Sequence, residues 1–382
     1  MLAPLDHCLC CGNNELDLCL DLGSQPLANT YPEDDNTILP TFPLAANFCA
    51  KCSHMQLSHC VDRSALFTDY HYVSGTTHTL REDFYNFADM ITSKHGIGTV
   101  LEIACNDGSQ LNAFKDAGWK TIGIDPAENL HPISSKNHET YCAFLNDTHR
   151  KFKADVVVAQ NVLAHVDNPL NFLEICKDIS DHIYIQTSQA DMLQNGEFDT
   201  IYHEHISFFS EKSLSELAER AGLVLVETSK RPTHGQSYLF HLQTAGSKQA
   251  LTPGPTKQEV DKFAQNARNT IRAFKSELQS IRATGIKLIG YGAAAKGTTV
   301  LNAANEPLDY IVDDNPLKQN KYIPGMNIPI KHPDALLKES DDILVVPLSW
   351  NFYNEIKQKV MERKPTGVTL MQYFPSIRYE SP

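Results

Sequence analysis

Short apolar segments alternate with helix-like segments along most of the chain, and this alternation constrains the fold more than any other feature. A strand that leads into a helix and then into a parallel strand builds a sheet covered by helices. The alternation occurs in two separate series, so we expect two doubly wound α/β domains. The predicted strands are residues 99–103, 120–124, 155–159 and 182–186 in the first series and 286–290, 310–312 and 343–347 in the second.

Each series is preceded by apolar residues at steps of three and four, which is the spacing of one helix face. This spacing predicts a helix over Leu80, Phe84, Phe87 and Ile91 and a longer helix before the second series. Residues 247–255 are rich in Ser, Pro, Gly and Lys and are predicted to be a linker. The apolar face of the longer helix carries Val260, Phe263, Ala267, Ile271, Phe274, Leu278 and Ile281.

The cysteines are concentrated near the N-terminus, since seven of the 10 lie within the first 60 residues. Four of them form the pairs Cys8-x-x-Cys11 and Cys49-x-x-Cys52. Two such pairs can hold one tetrahedral zinc ion through four thiolates, which leaves no open position for chemistry. We therefore predict a structural zinc site. Alternative ligands are Cys10, Cys19 and Cys60, and short irregular segments are expected around Pro26, Pro32, Pro40 and Pro43.

Composition limits the class of protein. The 382 residues include 33 Lys+Arg and 46 Asp+Glu, which gives a formal net charge of −13. This sign argues against a general nucleic-acid binder or a protein of anionic membranes, because both need a basic surface. The N-terminus lacks a basic flank followed by an apolar run, and no stretch is apolar enough to span a bilayer. We expect a cytoplasmic multidomain protein.

The first series of strands opens on a candidate nucleoside site. The first strand ends in a tight turn that carries Glu102 and Asp107, and Asp125 ends the next strand. A carboxylate at the second position can bind ribose hydroxyls. Two acids in the turn would repel a pyrophosphate but suit the sulfonium and ammonium groups of S-adenosylmethionine (SAM), so SAM is favoured over NAD. An unoccupied turn remains the alternative.

Titratable residues cluster after the third and fourth strands. His165 follows the third strand, at the sheet edge where open α/β folds bind ligands. Tyr202, His203, Glu204 and His205 follow the fourth strand. Histidine suits proton transfer near neutral pH, and a neighbouring carboxylate can orient it. A second metal site or a solvated loop would give the same pattern.

A glycine-rich loop opens the second series. Gly290-Tyr-Gly-Ala-Ala-Ala295 follows a strand, and Asp313 lies downstream. This resembles a dinucleotide fingerprint and supports, as an alternative function, an NAD-dependent oxidoreductase of nucleotide sugars. The loop amides and Lys296 could instead bind the diphosphate of a nucleotide sugar, or the glycines could serve only a tight turn. Trp350 follows a later strand and is predicted to pack rather than to border a cleft.

The order of these motifs along the chain resembles one known family. Besides the two cysteine pairs and the glycine-rich loop, it includes Tyr70-x-Tyr72-x-Ser74-Gly75, Glu102-Ile-x-x-Asn-Asp-Gly108 and the run Tyr202-His-Glu-His205 with its aromatic pair. The chain resembles the zinc-containing, SAM-dependent sugar C-methyltransferases, which act on nucleotide-linked 4-keto deoxysugars. The resemblance implies a zinc-binding module over 1–75, a class I methyltransferase domain of Rossmann-like fold over 76–246, and a Rossmann-like substrate domain over 256–382.

The resemblance also implies roles for individual residues. His205 is expected to be the general base, with Tyr202, Glu204 and His165 as partners, and Tyr72 to close over the cofactor. The expected SAM-binding residues are Tyr72, Ser74, Glu102, Ala104, Asn106, Asp107, Gly108, Asp125 and Asn161, and the expected substrate contacts are His234, Ser237, Tyr291 and Lys296. The chain departs from the family at Ala104, where glycine is usual, at Gln186, where glutamate is usual, and at Gln236, in a run that is usually Gly-Gly-Ser.

These expectations combine into one reaction. His205 removes the proton at C3 of a nucleotide-linked 4-keto-6-deoxyhexose, with dTDP as the expected nucleotide. Tyr202 or His165 stabilises the charge on the C4 oxygen, and the carbanion takes the methyl group of SAM. We expect a monomer or a small homo-oligomer with no nucleic-acid or membrane partner.

Overall fold

The computed structural model describes residues 2–68, 70, 72–76, 78–232, 236–340 and 342–381. In chain order the strands are β1 (Leu2–Pro4), β2 (Asp17–Pro26), β3 (Thr41–Cys49), β4 (His54–Leu57), β5 (His59–Val61), β6 (Thr99–Ile103), β7 (Lys120–Asp125), β8 (Glu139–Cys142), β9 (Val156–Gln160), β10 (His182–Thr187), β11 (Ser207–Phe208), β12 (Val224–Arg231), β13 (Ser237–Gln243), β14 (Lys287–Tyr291), β15 (Tyr310–Val312), β16 (Ile330–Lys331), β17 (Ile343–Pro347), β18 (Val368–Gln372) and β19 (Arg378–Glu380). The α-helices are α1 (Ser64–Phe67), α2 (His78–His95), α3 (Ser109–Asp116), α4 (His131–Ser134), α5 (Pro169–Ile179), α6 (Met192–Asn195), α7 (Glu211–Arg220), α8 (Lys257–Arg282), α9 (Ala295–Ala304) and α10 (Tyr353–Arg363).

The chain divides into two compact units, and both are discontinuous in sequence. Unit 1 contains residues 1–17, 47–190 and 204–256, and unit 2 contains residues 18–46, 191–203 and 257–382. The predicted three-segment division of the chain stays a prediction about its domains.

Unit 1 is built on a sheet whose described strands follow the order β12-β13-β10-β9-β6-β7-β8. The strands from β10 to β8 are parallel to one another, and β13 pairs antiparallel with both β10 and β12. The chain leaves β6 in one direction to form β7 and β8 and then returns to add β9 on the other side of β6. Ligands of such sheets bind at the carboxyl ends of the strands where the order reverses.

The core of unit 1 explains why these segments form strands. Successive residues of β6 and β9 are buried on opposite faces of the sheet, as expected for parallel strands covered on both sides. On one face, Phe87 and Ile91 of α2 pack with Phe114, Trp119 and Tyr184. The predicted strand–helix alternation and the helix over Leu80–Ile91 are confirmed.

Unit 2 contains a second, mostly parallel sheet, whose described strands follow the order β16-β15-β14-β17-β18-β19. Only its edge pair, β18 with β19, is antiparallel among the pairings described. The long helix α8 precedes this sheet and buries Val260, Phe263 and Phe274. The predicted Rossmann-like character of this part is therefore confirmed.

One prediction for the N-terminal region is wrong. The prolines led us to expect short irregular segments, but β2 and β3 are 10 and nine residues long. Pro26 is the last residue of β2, Pro40 precedes β3, and Pro43 lies near its start. Proline near the end of a strand removes few ladder hydrogen bonds, so it does not prevent the strand.

Nowhere in the described ranges does a helix combine the length and apolarity that crossing a lipid bilayer requires.

Candidate active site

The four cysteines of the two C-x-x-C pairs converge in unit 1. The Sγ atoms of Cys8 and Cys52 are 3.5 Å apart, and those of Cys11 and Cys49 are 3.6 Å apart. All four sulfur atoms lie within 4.8 Å of one another. Zinc–thiolate bonds of 2.3 Å require sulfur atoms about 3.8 Å apart in a tetrahedron, so the donor set fits zinc.

Backbone geometry shapes each cysteine pair. Gly12 and Ser53, which follow the two pairs, have φ of 72° and 59°, and the Gly12 amide donates to the Cys8 carbonyl at 2.8 Å. The Arg220 guanidinium donates to the Cys10 carbonyl at 2.5 Å, which ties this loop to α7. Cys19, which the sequence offers as an alternative ligand, instead donates its thiol to the Ala46 carbonyl within unit 2.

Two buried acids end neighbouring strands of the unit 1 sheet. Glu102 lies on β6 and Asp125 ends β7, and their side chains are 4% and 8% exposed. Asp125 accepts hydrogen bonds from the backbone amides of Asn106 and Ala127, both at 2.8 Å. Glu102 Oε2 is buried and finds no hydrogen-bond partner among the described residues. A cationic ligand that also carries hydroxyl groups would satisfy this pair of acids.

The turn between β6 and α3 has an unusual backbone. Ala104, Asn106 and Gly108 all have positive φ, at 62°, 51° and 82°. A Cβ at Gly108 would approach the backbone of Ser134 to 3.3 Å. Positions 104, 106 and 108 therefore need glycine or a residue that tolerates a left-handed backbone. The backbone amides that follow the turn lie at the carboxyl edge of the sheet.

Ala104, which stands where the resembling family usually has glycine, is expected to lower the free energy of unfolding. Alanine in the left-handed region is disfavoured by roughly 1 kcal/mol, whereas glycine adopts it freely. We expect Ala104→Gly to raise the thermal unfolding midpoint of the zinc-loaded protein. The control is Ala113→Gly inside α3. Glycine there should lower the free energy of unfolding by about 1 kcal/mol, and the midpoint should fall accordingly. A fall in both variants would contradict the proposed strain.

The segment before α2 is fastened over this turn. Asn106 Oδ1 accepts the Ser74 amide at 2.9 Å, and Asn106 Nδ2 donates to the Tyr72 carbonyl at 3.0 Å. Asp107 Oδ2 accepts the Gly75 amide at 3.0 Å, and a Cβ at Gly75 would lie only 2.6 Å from that oxygen. Tyr72 keeps 44% of its surface exposed. The motif Tyr72-x-Ser74-Gly75 thus lies beside the acids, with an aromatic ring available to a ligand.

A third strand end contributes Asn161, which follows β9 with φ of 53°. The backbone amide of Asn161 donates to the Gln186 carbonyl at 2.8 Å. The side-chain Oδ1 is buried without a hydrogen-bond partner among the residues described. The carboxyl ends of β6, β7 and β9 therefore supply acids, an unsatisfied amide oxygen and a tight turn. This donor set fits SAM, whose sulfonium and ammonium groups are cationic.

The acids raise one another's proton affinity. Burial raises the pKa of Glu102 well above its usual range, and the nearby charges of Asp107 and Asp125 raise it further. The pKa of Asp125 is also raised, chiefly by burial. A group with a raised pKa stabilises the folded state at low pH and loses this contribution as pH rises through the folded-state pKa.

This sign leads to a prediction for Glu102→Gln. The variant cannot ionise, so without SAM its thermal midpoint should exceed that of the parent, and more so at pH 8 than at pH 5. Its SAM affinity, measured by calorimetry, should fall by about 10–100-fold because a charged partner is lost. The control is Glu128→Gln at an exposed position of the same sheet edge. Unchanged SAM affinity in Glu102→Gln would contradict the assignment.

His165 and His205 meet in unit 1, with ring centroids 5.0 Å apart. The 3₁₀ turn Leu163–His165 presents His165, and the Ile206 amide donates to the Ala164 carbonyl at 2.7 Å, which fixes the His205 segment beside this turn. His205 is only 6% exposed. The two imidazoles therefore lie side by side, His205 buried and His165 half-buried, on segments joined by backbone hydrogen bonds.

The tautomer of His165 follows from its partner. Its Nδ1 lies 2.6 Å from the Glu204 carbonyl, which can only accept, so Nδ1 carries the proton. Burial lowers the pKa of His165 to about 4, although the carbonyls of Glu204 and Asn161 oppose this. The neutral ring has one N–H, which donates to the Glu204 carbonyl. With this N–H directed at the Glu204 carbonyl, the role of His165 as a donor to a substrate oxygen stays a prediction, and so does that of Tyr202.

Other predicted residues lie in unit 2. Tyr202 belongs to it, and His203 packs there with Nε2 3.2 Å from the Phe42 carbonyl. Tyr291 is buried, and its phenol donates to the Asp314 carboxylate at 3.2 Å. In unit 1, Ser237 is fully buried at the start of β13. His234 lies outside the described residues.

The glycines of the unit 2 loop are explained largely by packing. A Cβ at Gly290 would lie 2.7 Å from the Ile311 side chain, and one at Gly297 would lie 2.7 Å from Cβ of Leu348. Gly292 has φ of 93°. The turn therefore requires glycine at these three positions even without a bound dinucleotide.

Sequence reasoning missed a polar cluster beside this loop. Asp199 is fully buried, and its Oδ2 accepts from Trp350 Nε1 at 2.7 Å and from the Tyr373 hydroxyl at 2.9 Å. Lys296 Nζ lies over the Trp350 ring, 4.4 Å from its centroid. Trp350 was predicted merely to pack, but it links a buried carboxylate to the lysine. Nothing in the local sequence signals these contacts, because Asp199 and Trp350 are distant along the chain.

Family models match three consecutive parts of the chain. Residues 8–67 match the model "Putative zinc binding domain", residues 77–228 match "Methyltransferase domain", and residues 247–375 match "C-methyltransferase C-terminal domain". The curated C-methyltransferase NovU of Streptomyces niveus is 28% identical, and the match covers 99% of this chain and 97% of that protein.

Solved methyltransferase structures resemble about half of the chain. One is magnesium protoporphyrin IX methyltransferase from Synechocystis PCC 6803 with bound SAM, at 11% identity and a TM-score of 0.34, covering 43% of this chain and 79% of that one. Another is the CcbJ methyltransferase from Streptomyces caelestis, at 12% identity and a TM-score of 0.34, covering 43% and 90%. The family models extend over the zinc-binding, methyltransferase and C-terminal parts alike. These models and the full-length relative identify the chain as a SAM-dependent C-methyltransferase with a zinc-binding domain.

Proposed function

We propose that this C-methyltransferase acts on carbon 3 of a nucleotide-linked 4-keto-6-deoxyhexose, with dTDP as the expected nucleotide. The observation that carries the proposal is the buried imidazole of His205, held beside His165 in the unit that also contains the acid-lined turn. A carbon atom becomes a nucleophile most readily by losing a proton next to a ketone, and imidazole is suited to remove it near neutral pH.

The proposed role of His205 is to accept the proton from C3 of the sugar. The electrons of the C–H bond then form an enolate whose charge lies largely on the C4 oxygen. A hydroxyl donor such as Tyr202 would stabilise that oxygen by roughly 3–4 kcal/mol in a water-excluded site. When bound, SAM supplies an electrophilic methyl group. The new carbon–carbon bond would form as the sulfur–methyl bond breaks, and His205 would then return its proton to solvent.

The residues around the acid-lined turn have positioning roles in this proposal. Glu102 and Asp125 would hold the cationic and ribose parts of SAM, and Tyr72 would cover the methyl-bearing end and exclude water. Orientation of two reactants and removal of water account for much of the acceleration of such transfers. These assignments are supported by the burial of both acids and by the exposed ring of Tyr72.

Lys296 is the proposed contact for the nucleotide diphosphate. Its ammonium lies over Trp350, and a cation held on an aromatic face keeps its N–H donors available. It also lies at the start of α9, where free backbone amides favour an anion. An NAD-dependent reaction at the same loop is the alternative. Calorimetric titration with SAM and NAD separately distinguishes them, since we expect heat of binding with SAM and none with NAD.

The direct test is incubation with SAM and a panel of nucleotide-linked 4-keto-6-deoxyhexoses, followed by mass spectrometry. The panel varies the nucleotide base, the sugar configuration and the group at C3. We expect the mass of one methylene to be gained by at least one dTDP-linked member. The same sugars reduced to the alcohol at C4 are the matched controls and should gain nothing. Transfer to the alcohols, or to no member of the panel, would overturn the proposal.

A further inference from the structure

Three histidines that the proposed reaction does not use meet at one place in unit 1. His95 is the last residue of α2, His182 is the first residue of β10, and His241 lies on β13. One ring nitrogen of each lies within 4.8 Å of the others. His241 is 7% exposed, and the other two are half-buried. The topology alone brings them together, because β10 pairs with β13 and α2 packs on the same face.

The group lies at the opposite edge of the sheet from the acid-lined turn. His182 begins β10, whereas the acids lie at or near the carboxyl ends of β6 and β7. With five residue steps along a strand, the two edges are about 17 Å apart. The histidines therefore belong to neither the methyl-transfer site nor the cysteine centre.

The spacing of the nitrogens matches metal ligation. His182 Nδ1 and His241 Nε2 are 3.3 Å apart. Two imidazole nitrogens at 2.0–2.1 Å from one tetrahedral ion are about 3.3 Å apart as well. Without an ion, one proton must lie between these two lone pairs, so an ion would replace that proton.

Neighbouring side chains orient the three rings. Tyr184 hydroxyl lies 2.8 Å from His95 Nε2, and its ring stacks on His241 with centroids 4.2 Å apart. Gln243 Nε2 approaches His182 Nδ1 to 3.1 Å. Tyr184 thus orients the rings of His95 and His241, whereas the Gln243 amide must release His182 Nδ1 when an ion binds there.

We propose that His95, His182 and His241 form a second metal site, which binds a divalent first-row transition ion such as Zn²⁺ through three imidazoles. Its fourth position is open to water. The ion joins the end of α2 to β10 and β13 and stabilises the edge of the sheet opposite the methyl-transfer site. The site is independent of the proposed substrate.

Cobalt titration of the metal-free, untagged full chain tests the proposal. Co²⁺ in the four-cysteine centre gives an intense thiolate charge-transfer band, whereas Co²⁺ bound by imidazoles gives only weak ligand-field bands. We expect the charge-transfer band to saturate after one equivalent and the ligand-field bands to grow until the second. Saturation of every band after one equivalent would overturn the proposal.

Variants assign the second equivalent to these residues. His95→Gln and His182→Gln should bind one equivalent and keep the charge-transfer band and SAM binding, while His332→Gln, at an exposed position of unit 2, should still bind two. Retention of the second equivalent in both site variants would refute the assignment. If the variants do not fold, electron paramagnetic resonance of Cu²⁺ bound to the parent chain shows whether imidazoles ligate the ion. Hyperfine coupling to several imidazole nitrogens supports the site, and its absence overturns it.

Discussion

Replacing His205 with asparagine is expected to lower the rate of methyl transfer by about 10²–10⁴-fold, the usual contribution of a general base. Asparagine cannot accept the C3 proton at neutral pH, so exchange of that proton with solvent should be lost together with methyl transfer. Exchange is measured by NMR of the keto sugar in deuterated water with S-adenosylhomocysteine in place of SAM. Methyl transfer is measured separately with labelled SAM.

The structure offers a matched control two residues away. His203 is as buried as His205, but its Nε2 faces the Phe42 carbonyl in unit 2. His203→Asn should retain proton exchange, and both variants should retain SAM binding, which checks their folding. Retained exchange in His205→Asn would move the base to another residue. His165 is a poor substitute, because burial lowers its pKa to about 4.

Removing zinc is expected to abolish methyl transfer even though the ion has no open position. In zinc-finger peptides the metal contributes about 10–16 kcal/mol of apparent binding free energy, most of which is folding free energy. Here the buried Gln56 side chain accepts the Leu9 amide at 2.9 Å and donates to the His7 carbonyl at 2.9 Å. It therefore joins the first cysteine loop to β4.

The same strand reaches the catalytic segment. The β4 strand pairs with β11, and the Leu57 amide donates to the Ile206 carbonyl at 2.8 Å, next to His205. Loss of zinc should therefore release β4 and, with it, the backbone that holds His205. Hydrogen exchange should show lost protection over residues 1–17 and 47–61 in Cys52→Ser, with no detectable methyl transfer.

Cys19→Ser is the control for the zinc prediction. Its thiol lies in unit 2 and donates to Ala46, so the variant should keep one zinc ion and its activity. Metal content by mass spectrometry and the methyl-transfer rate check both variants. Full activity in zinc-free protein, or loss of zinc in Cys19→Ser, would contradict the account.

Local patterns were sufficient for much of the architecture. The apolar segments that predict β6, β7, β9 and β10 differ from the observed strands by one residue at most, because strands buried on both faces are short and continuously apolar. The four cysteines were predicted from spacing alone, since a C-x-x-C pair closes half of a tetrahedral site without help from distant residues.

Long-range features could not be predicted in the same way. The strands β2 and β3 were missed because prolines dominate the local pattern there. The tautomer of His165 depends on the Glu204 carbonyl, 39 residues away. The Asp199–Trp350 hydrogen bond joins residues 151 positions apart. Contacts of this kind arise only when the chain is folded, and single-sequence patterns do not record them.

In the proposed reaction a keto sugar gains a methyl group on the carbon next to its ketone. NMR of the product formed from SAM with a ¹³C-labelled methyl group shows which atom receives it. We expect a labelled methyl resonance coupled to sugar carbon 3, with the chemical shift of a methyl group attached to carbon. A labelled methyl group attached to oxygen, or to any other carbon of the sugar, would refute the proposed reaction.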